Sequence, residues 1–152
     1  MTDVRRIEPD DWRDWRAVRL RALTEAPEAF ADSVRTAAVD SEDAFRGRIA
    51  AAEAAFVAYL DDAPVGQVAM DVMPDGRCQL MSMFVGAEAR RSGVGAALIA
   101  AVVEAAGERQ VHLRVMDGNT AAVRTYERAG FELDGAPADA EHCLTMVLVR
   151  SR

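Results

Sequence analysis

The chain has 152 residues, a length that fits one domain around a single buried core. Apolar residues make up 51% and charged residues 28%, which excludes a disordered chain, a collagen-like repeat and a disulfide scaffold. The formal net charge of −7 argues against nucleic acid as a partner, because attraction to phosphate supplies most of that affinity, and mildly favours a cationic substrate.

Val4 to Glu8 has the pattern of a short strand, and Pro9, Asp10 and Asp11 then provide helix-start residues. Trp12, Trp15, Val18, Ala22 and Leu23 recur three and four apart, so the spacing predicts a helix with one apolar stripe that ends before Pro27. Periodicity is poor from Ala26 to Asp40. Ser41, followed by Glu42 and Asp43, opens a second helix through about Glu53, and the Ala-rich stretch Ile49 to Ala55 favours helix. Phe56 to Leu60, Val65 to Val72 and Cys78 to Val85 are strand-like runs. The turns Asp61-Asp62-Ala63-Pro64 and Pro74-Asp75-Gly76 separate them, which predicts an antiparallel meander.

Beyond a loop at 86–92, Val94, Ala97, Leu98, Ala101, Val102 and Ala105 keep helical spacing until Gly107. Val111 to Val115 follows as a strand. Asn119 caps a helix to about Ala129 that Gly130 ends, and Phe131 to Leu133 and Cys143 to Val149 close the chain as strands. No repeat, low-complexity tail or composition shift marks a boundary, so residues 1–152 are expected to form a single domain.

No apolar run reaches the roughly 18 residues of a spanning helix, and MTDVRRIEPDD lacks the apolar centre of a signal peptide. A cytoplasmic protein without a membrane partner is expected. In that reducing compartment Cys78 and Cys143 are expected as free thiols, and neither they nor His112 and His142 fall in a metal-ligand spacing, so no metal is expected. Both cysteines sit in apolar runs, which favours a structural role over a nucleophilic one.

A strand that feeds a Gly-containing loop at a helix N-terminus presents unpaired N–H groups and a positive helix end, which together bind phosphate. Arg90-Arg91-Ser92-Gly93-Val94-Gly95 has this form. Gly93 and Gly95 let a pyrophosphate approach the backbone, Ser92 can cap the helix or donate a hydrogen bond, and Arg90 and Arg91 add charge-assisted contacts. The competing role is structural, with Ser92-Gly93 a simple cap and the arginines a solvated pair. A P-loop needs Gly-Lys-Ser/Thr and the chain has no Lys, while Leu98 stands where a dinucleotide fingerprint needs a small residue.

Val85-x-x-x-x-Arg90-Arg91-Ser92-Gly93-Val94-Gly95-Ala96 resembles the acetyl-CoA signature of the GNAT family of N-acetyltransferases. Asn119-Thr120-Ala121-Ala122-Val123-Arg124-Thr125-Tyr126-Glu127-Arg128-Ala129-Gly130-Phe131 resembles that family's Asn-x-x-Ala-x-x-x-Tyr-x-x-x-Gly-Phe segment. The resemblance implies an α/β fold with a mixed, mostly antiparallel sheet splayed between its fourth and fifth strands, and about four helices. It implies acetyl-CoA as co-substrate and direct acetyl transfer to the amine of a small molecule or peptide N-terminus. It also carries the homodimer common among members.

By the same resemblance the backbone of Met83, Phe84 and Val85 holds the pantetheine arm and polarises the thioester carbonyl. Arg90, Arg91, Ser92, Gly93, Val94, Gly95 and Ala96 take the phosphates, Asn119 contacts the donor or lines the splayed strands, and Tyr126 is the general acid. Asn119 and Tyr126 stand seven apart, on nearly one helix face. Their structural alternatives are an N-cap and a core tyrosine. Arg124 is either a phosphate contact or a solvated helix residue.

Gln79 stands where many relatives carry a Glu, and an amide accepts no proton. Water, Asp71 and Glu25 remain open as routes for the proton. The resemblance puts the acceptor pocket between the first helix and residues 26–40, with Phe30, Trp12 or Trp15 as walls. A non-catalytic acyl-CoA-binding or regulatory module competes with the enzyme because of Gln79, and a nucleotide-dependent oxidoreductase is disfavoured by Leu98.

Overall fold

The computed structural model describes residues 2–25 and 41–150. The irregular stretch expected from Ala26 to Asp40, and Phe30 within it, lie outside these residues. In chain order the described elements are β1 (Thr2–Arg6), α1 (Trp12–Glu25), α2 (Glu42–Ala51), β2 (Ala54–Leu60), β3 (Ala63–Val72), β4 (Cys78–Val85), α3 (Val94–Ala106), β5 (Val111–Met116), α4 (Thr120–Arg128), β6 (Phe131–Leu133) and β7 (Cys143–Leu148). The seven strands form one sheet in the order β1-β2-β3-β4-β5-β7-β6. Only β4 and β5 pair in parallel; every other neighbouring pair is antiparallel. The result is the mixed α/β sheet with four helices that the resemblance implied.

Three element boundaries differ from the sequence expectation, each for a local reason. β1 ends at Arg6 because Ile7 turns inward, its N–H donating to the Ala55 carbonyl at 2.9 Å. Glu8 and Asp11 then exchange side-chain and backbone hydrogen bonds as a capping box ahead of α1. α2 stops at Ala51 and Ala54 already pairs with Met70, so the sheet ladder overrides the helical preference of the alanines. The β2–β3 turn is tighter than expected: Leu60 pairs with Ala63, leaving Asp61 and Asp62 as a two-residue turn at φ 50° and 65°.

The sheet carries a core on each face. Phe56, Val68, Met70, Leu80, Leu113 and Val115 pack beneath α3 and α4 with Val94, Leu98, Val102 and Tyr126. On the opposite face Val57, Tyr59 and Ala69 meet Trp15 of α1 and Phe45 and Ile49 of α2. Val94, Leu98 and Val102 are fully buried, each worth roughly 1.5–3 kcal/mol. Gly66 lets α3 approach β3 closely, since a Cβ there would come within 3.1 Å of both Leu98 Cδ1 and the Phe84 carbonyl.

Pairing between β4 and β5 covers only Cys78 with Val111, Gln79 with His112 and Leu80 with Leu113. Beyond Leu80 the strands part: β4 continues along β3 to Val85, while β5 continues along β7 to Met116. β4 also bulges there, because its pairing with β3 jumps from Met81–Ala69 to Phe84–Gln67, leaving Ser82 and Met83 opposite Val68 alone. Ser82 adopts φ 58°, a left-handed conformation rare outside glycine. The parting and the bulge together open a gap through the middle of the sheet.

Candidate functional site

The gap holds a cavity of about 230 Å³, lined among the described residues by both strand edges and by α1 and α4. β4 contributes Gln79 to Met83, β5 contributes Arg114, Val115 and Met116, and Asn119, Ala122, Tyr126, Cys143 and Arg19 complete it. From Met81 onward the β5-facing edge of β4 has no strand opposite, so an extended ligand can lie along it as an added strand. None of the described lining residues is a carboxylate.

Tyr126 is 9% exposed and meets Phe131 edge to face, with ring centroids 5.9 Å apart. Its hydroxyl has no hydrogen-bond partner among the described residues, and burial raises its pKa well above the ordinary phenol range. The phenol therefore keeps its proton. Asn119 is the N-cap of α4, its side-chain oxygen accepting from the Ala122 N–H at 3.2 Å, and it also lines the cavity. Structural and cleft positions coincide in this residue.

Residues 90–96 stand at the N-terminus of α3, outside the gap itself. Gly93 is the N-cap at φ 84° and offers no side-chain cap. Ser92 does not cap the helix either: its hydroxyl donates back to the Ala89 carbonyl. The helix ladder opens with the Ala97 N–H donating to the Gly93 carbonyl at 3.0 Å, so the N–H groups of Val94, Gly95 and Ala96 precede any intrahelical acceptor. A Cβ on Gly95 would meet Met83 Cε at 3.6 Å, an ordinary contact, so packing alone does not require glycine there. Arg90 is exposed and donates from Nε to the Val85 carbonyl at 3.2 Å, and Arg91 is exposed at φ 65°.

The other expected residues divide between the site and the surface. Met83 lines the gap, whereas the Phe84 side chain is buried against Val18 and Ala22 of α1, so only its backbone is in reach of a ligand on β4. Val94 is core and Ala96 exposed. Arg124 is exposed on α4. Glu25 is turned to Arg21, 3.0 Å away at the end of α1, and lines neither cavity. Asp71 lines a second cavity of about 240 Å³ with Trp15, Arg19, Arg48, Ile49, Met81 and Ser82. The two cavities share Arg19, Met81 and Ser82.

Several residues at the site went unnoticed in the sequence. Arg114 lines the gap and is held by Asp139 at 2.7 Å and Glu141 at 3.2 Å from the β6–β7 connection. Arg21 clasps Glu88 with two hydrogen bonds of 2.7 and 2.6 Å, tying α1 to the loop that leads into α3. This pairing holds the Glu88 carboxyl down at about 2. Cys143, expected to be structural, also faces the gap, but burial raises its thiol pKa and disfavours the nucleophilic thiolate. Long-range pairs of this kind leave no periodic signal; only the charges themselves were visible.

No helix among the described residues is long and apolar enough to cross a membrane. A search of curated protein sequences returned no match. Among solved structures, the chain is similar to the PaiA N-acetyltransferase of Thermoplasma acidophilum in complex with coenzyme A, at 13% identity and TM-score 0.79, covering 99% of each chain. It is also similar to the ribosomal-protein-S18-alanine N-acetyltransferase of Escherichia coli, at 20% identity and TM-score 0.70 over 97% of this chain and 93% of that one. A nourseothricin acetyltransferase aligns at 32% identity and TM-score 0.54 over 62% of this chain and 64% of its own. The sequence profile of the acetyltransferase (GNAT) family matches residues 5–131, and with the sheet parted between β4 and β5 above an uncapped α3, the chain belongs to that family.

Proposed function

We propose that the protein is an N-acetyltransferase that moves an acetyl group from acetyl-CoA directly to the amine of a small molecule or peptide N-terminus. The observation that supports this is that Tyr126 lines the gap where β4 loses its partner strand. The residues fit a coenzyme A donor. Its phosphates match the uncapped N–H groups of Val94, Gly95 and Ala96 with Arg90 and Arg91 beside them, and its pantetheine amides match the open edge of β4 from Met83 to Val85. Gly95, which packing does not require, suits close approach of a phosphate.

When bound, the donor supplies an acyl thioester. The bulge at Ser82 and Met83 turns backbone out of the β3 ladder toward the gap, where an N–H can stabilise charge that develops on the thioester oxygen. Tyr126, which lines the gap and is kept protonated by burial, is our candidate for the acid that gives its proton to the departing sulfur. Transfer is direct, since the only cysteine at the gap among the described residues is the hindered thiol of Cys143.

Among the described residues the gap offers no carboxylate to take the amine's proton, since Gln79 is an amide. Asp71, in the adjoining cavity, and water are the routes the geometry leaves. The same observation favours a second reading, a non-catalytic acyl-CoA-binding module. Incubation with acetyl-CoA and a panel of amines decides between them. The enzyme releases free coenzyme A with at least one amine, whereas tight donor binding with no turnover across the panel overturns the catalytic assignment.

A further inference from the structure

The adjoining cavity has a composition that the overall charge of −7 does not foretell. Among its described lining residues, Arg19 and Arg48 are basic and Asp71 alone is acidic. Arg19 is 7% exposed on α1 and forms part of the wall between this cavity and the gap, so it faces a molecule placed in either. Arg48 enters from α2, with its guanidinium 5.3 Å over the Phe45 ring. Apart from the Ser82 hydroxyl, the remaining described lining, including Trp15, Ile49, Ala55, Ala69 and Met81, is apolar and limits the directions from which a polar ligand group can be held.

We propose that the acceptor is an amine that also carries an oxyanion, a carboxylate or a phosphate, and that Arg19 and Arg48 bind this oxyanion while Asp71 faces the ammonium end. The inference rests on the acetyltransferase reading above and names the acceptor class for the same site. A guanidinium carries five N–H donors in a fixed fork, so contacts elsewhere leave donors to aim at a ligand. The fork matches the two oxygens of a carboxylate or phosphate. Burial, and after it the positive charge of Arg48, lower the Arg19 pKa to about 10, which places the two cations within mutual influence. An anion between them relieves that repulsion, and a neutral ligand does not. A volume of about 240 Å³, just under the usual range for drug-sized ligands, suits a small acceptor. The acidic exterior and the basic cavity divide the labour, since the first governs long-range encounter and the second governs what is held.

Paired amines that differ only in the oxyanion provide the test: β-alanine against its amide, and phosphoethanolamine against ethanolamine. The full chain saturated with acetyl-CoA is expected to favour the anionic member of at least one pair by roughly tenfold or more in kcat/KM, carried by KM. The favoured pair identifies carboxylate or phosphate. Arg48→Gln, at a half-buried position that lines only the second cavity among the described residues, is expected to bring that ratio toward one while coenzyme A binding stays unchanged; Arg19→Gln is expected to bring it toward one as well, and Arg19→Lys to restore part of it. Equal use of both members of each pair, or a preference that survives both Gln variants, overturns the proposal. Calorimetric binding of the same pairs to protein saturated with coenzyme A reads the preference without turnover. Preference in binding with no acetyl transfer overturns the acetyltransferase reading and leaves the oxyanion site standing.

Discussion

The two sides of the gap are built in opposite ways. The side proposed for the donor is made of backbone: the open edge of β4, the bulge at Ser82 and Met83, and the uncapped turn of α3, all within residues 81–96. The cavity proposed for the acceptor is made of side chains drawn from α1, α2, β3 and β4, namely Trp15, Arg19, Arg48, Asp71 and Met81. A backbone surface recognises what every donor molecule shares. A side-chain surface can change with each substitution while the sheet stays as it is.

Tyr126, between the two sides, offers the largest effect. Tyr126→Phe keeps the ring against Phe131 and removes only the hydroxyl, so kcat is expected to fall by about 100-fold with coenzyme A affinity unchanged. Steady-state kinetics beside calorimetry checks both halves. Unchanged kcat would remove Tyr126 from the chemistry and leave it a core residue.

A smaller effect is expected on the donor side. Gly93→Ala places a Cβ on a residue at φ 84°, where nothing lies within 4 Å and the cost is therefore conformational, about 1–2 kcal/mol. Weaker coenzyme A binding, by about tenfold, with acceptor KM unchanged would show that the backbone turn serves the donor alone. Asn119→Ala removes the cap of α4 and should cost about 1 kcal/mol, seen as a melting temperature lower by about 3 °C. A fall in turnover larger than that loss explains would give Asn119 a role beyond the cap.

The smallest effect concerns the tether from α1 to the donor loop. Glu88 ordinarily titrates near 4.5 and is held at about 2 by Arg21. Its folded pKa lies below its unfolded one, so the tether's contribution is complete above about pH 4.5 and is lost as pH falls from there through about 2. Both side chains are a third or more exposed, and screening keeps the contribution small. Glu88→Gln is expected to flatten the acid limb of the stability curve over that window and to weaken coenzyme A binding less than about threefold at neutral pH. An unchanged acid limb would assign that window to other carboxylates.

Most of the strand and helix order was legible because apolar residues recur at two or at three and four, and turn residues punctuate them. The boundaries that moved did so where pairing outweighed local preference, as at Ala54, or where a short turn put two aspartates at positive φ. Arg19, Arg114 and Cys143 were not legible as site residues. Each sits within an unremarkable helix or strand and reaches a cavity only because the strands part after Leu80.

By itself the chain's order of residues determined the loop proposed for the donor, since such a loop is contiguous and its glycines, arginines and following helix lie within a few positions. It also placed Asn119 and Tyr126 on one helix face, because seven residues make nearly two turns. The tertiary structure alone decided which cations and carboxylate share a cavity. Arg19, Arg48 and Asp71 are brought together by packing of two helices on one face of a sheet, and separations of 29 and 23 residues carry no local pattern that announces it.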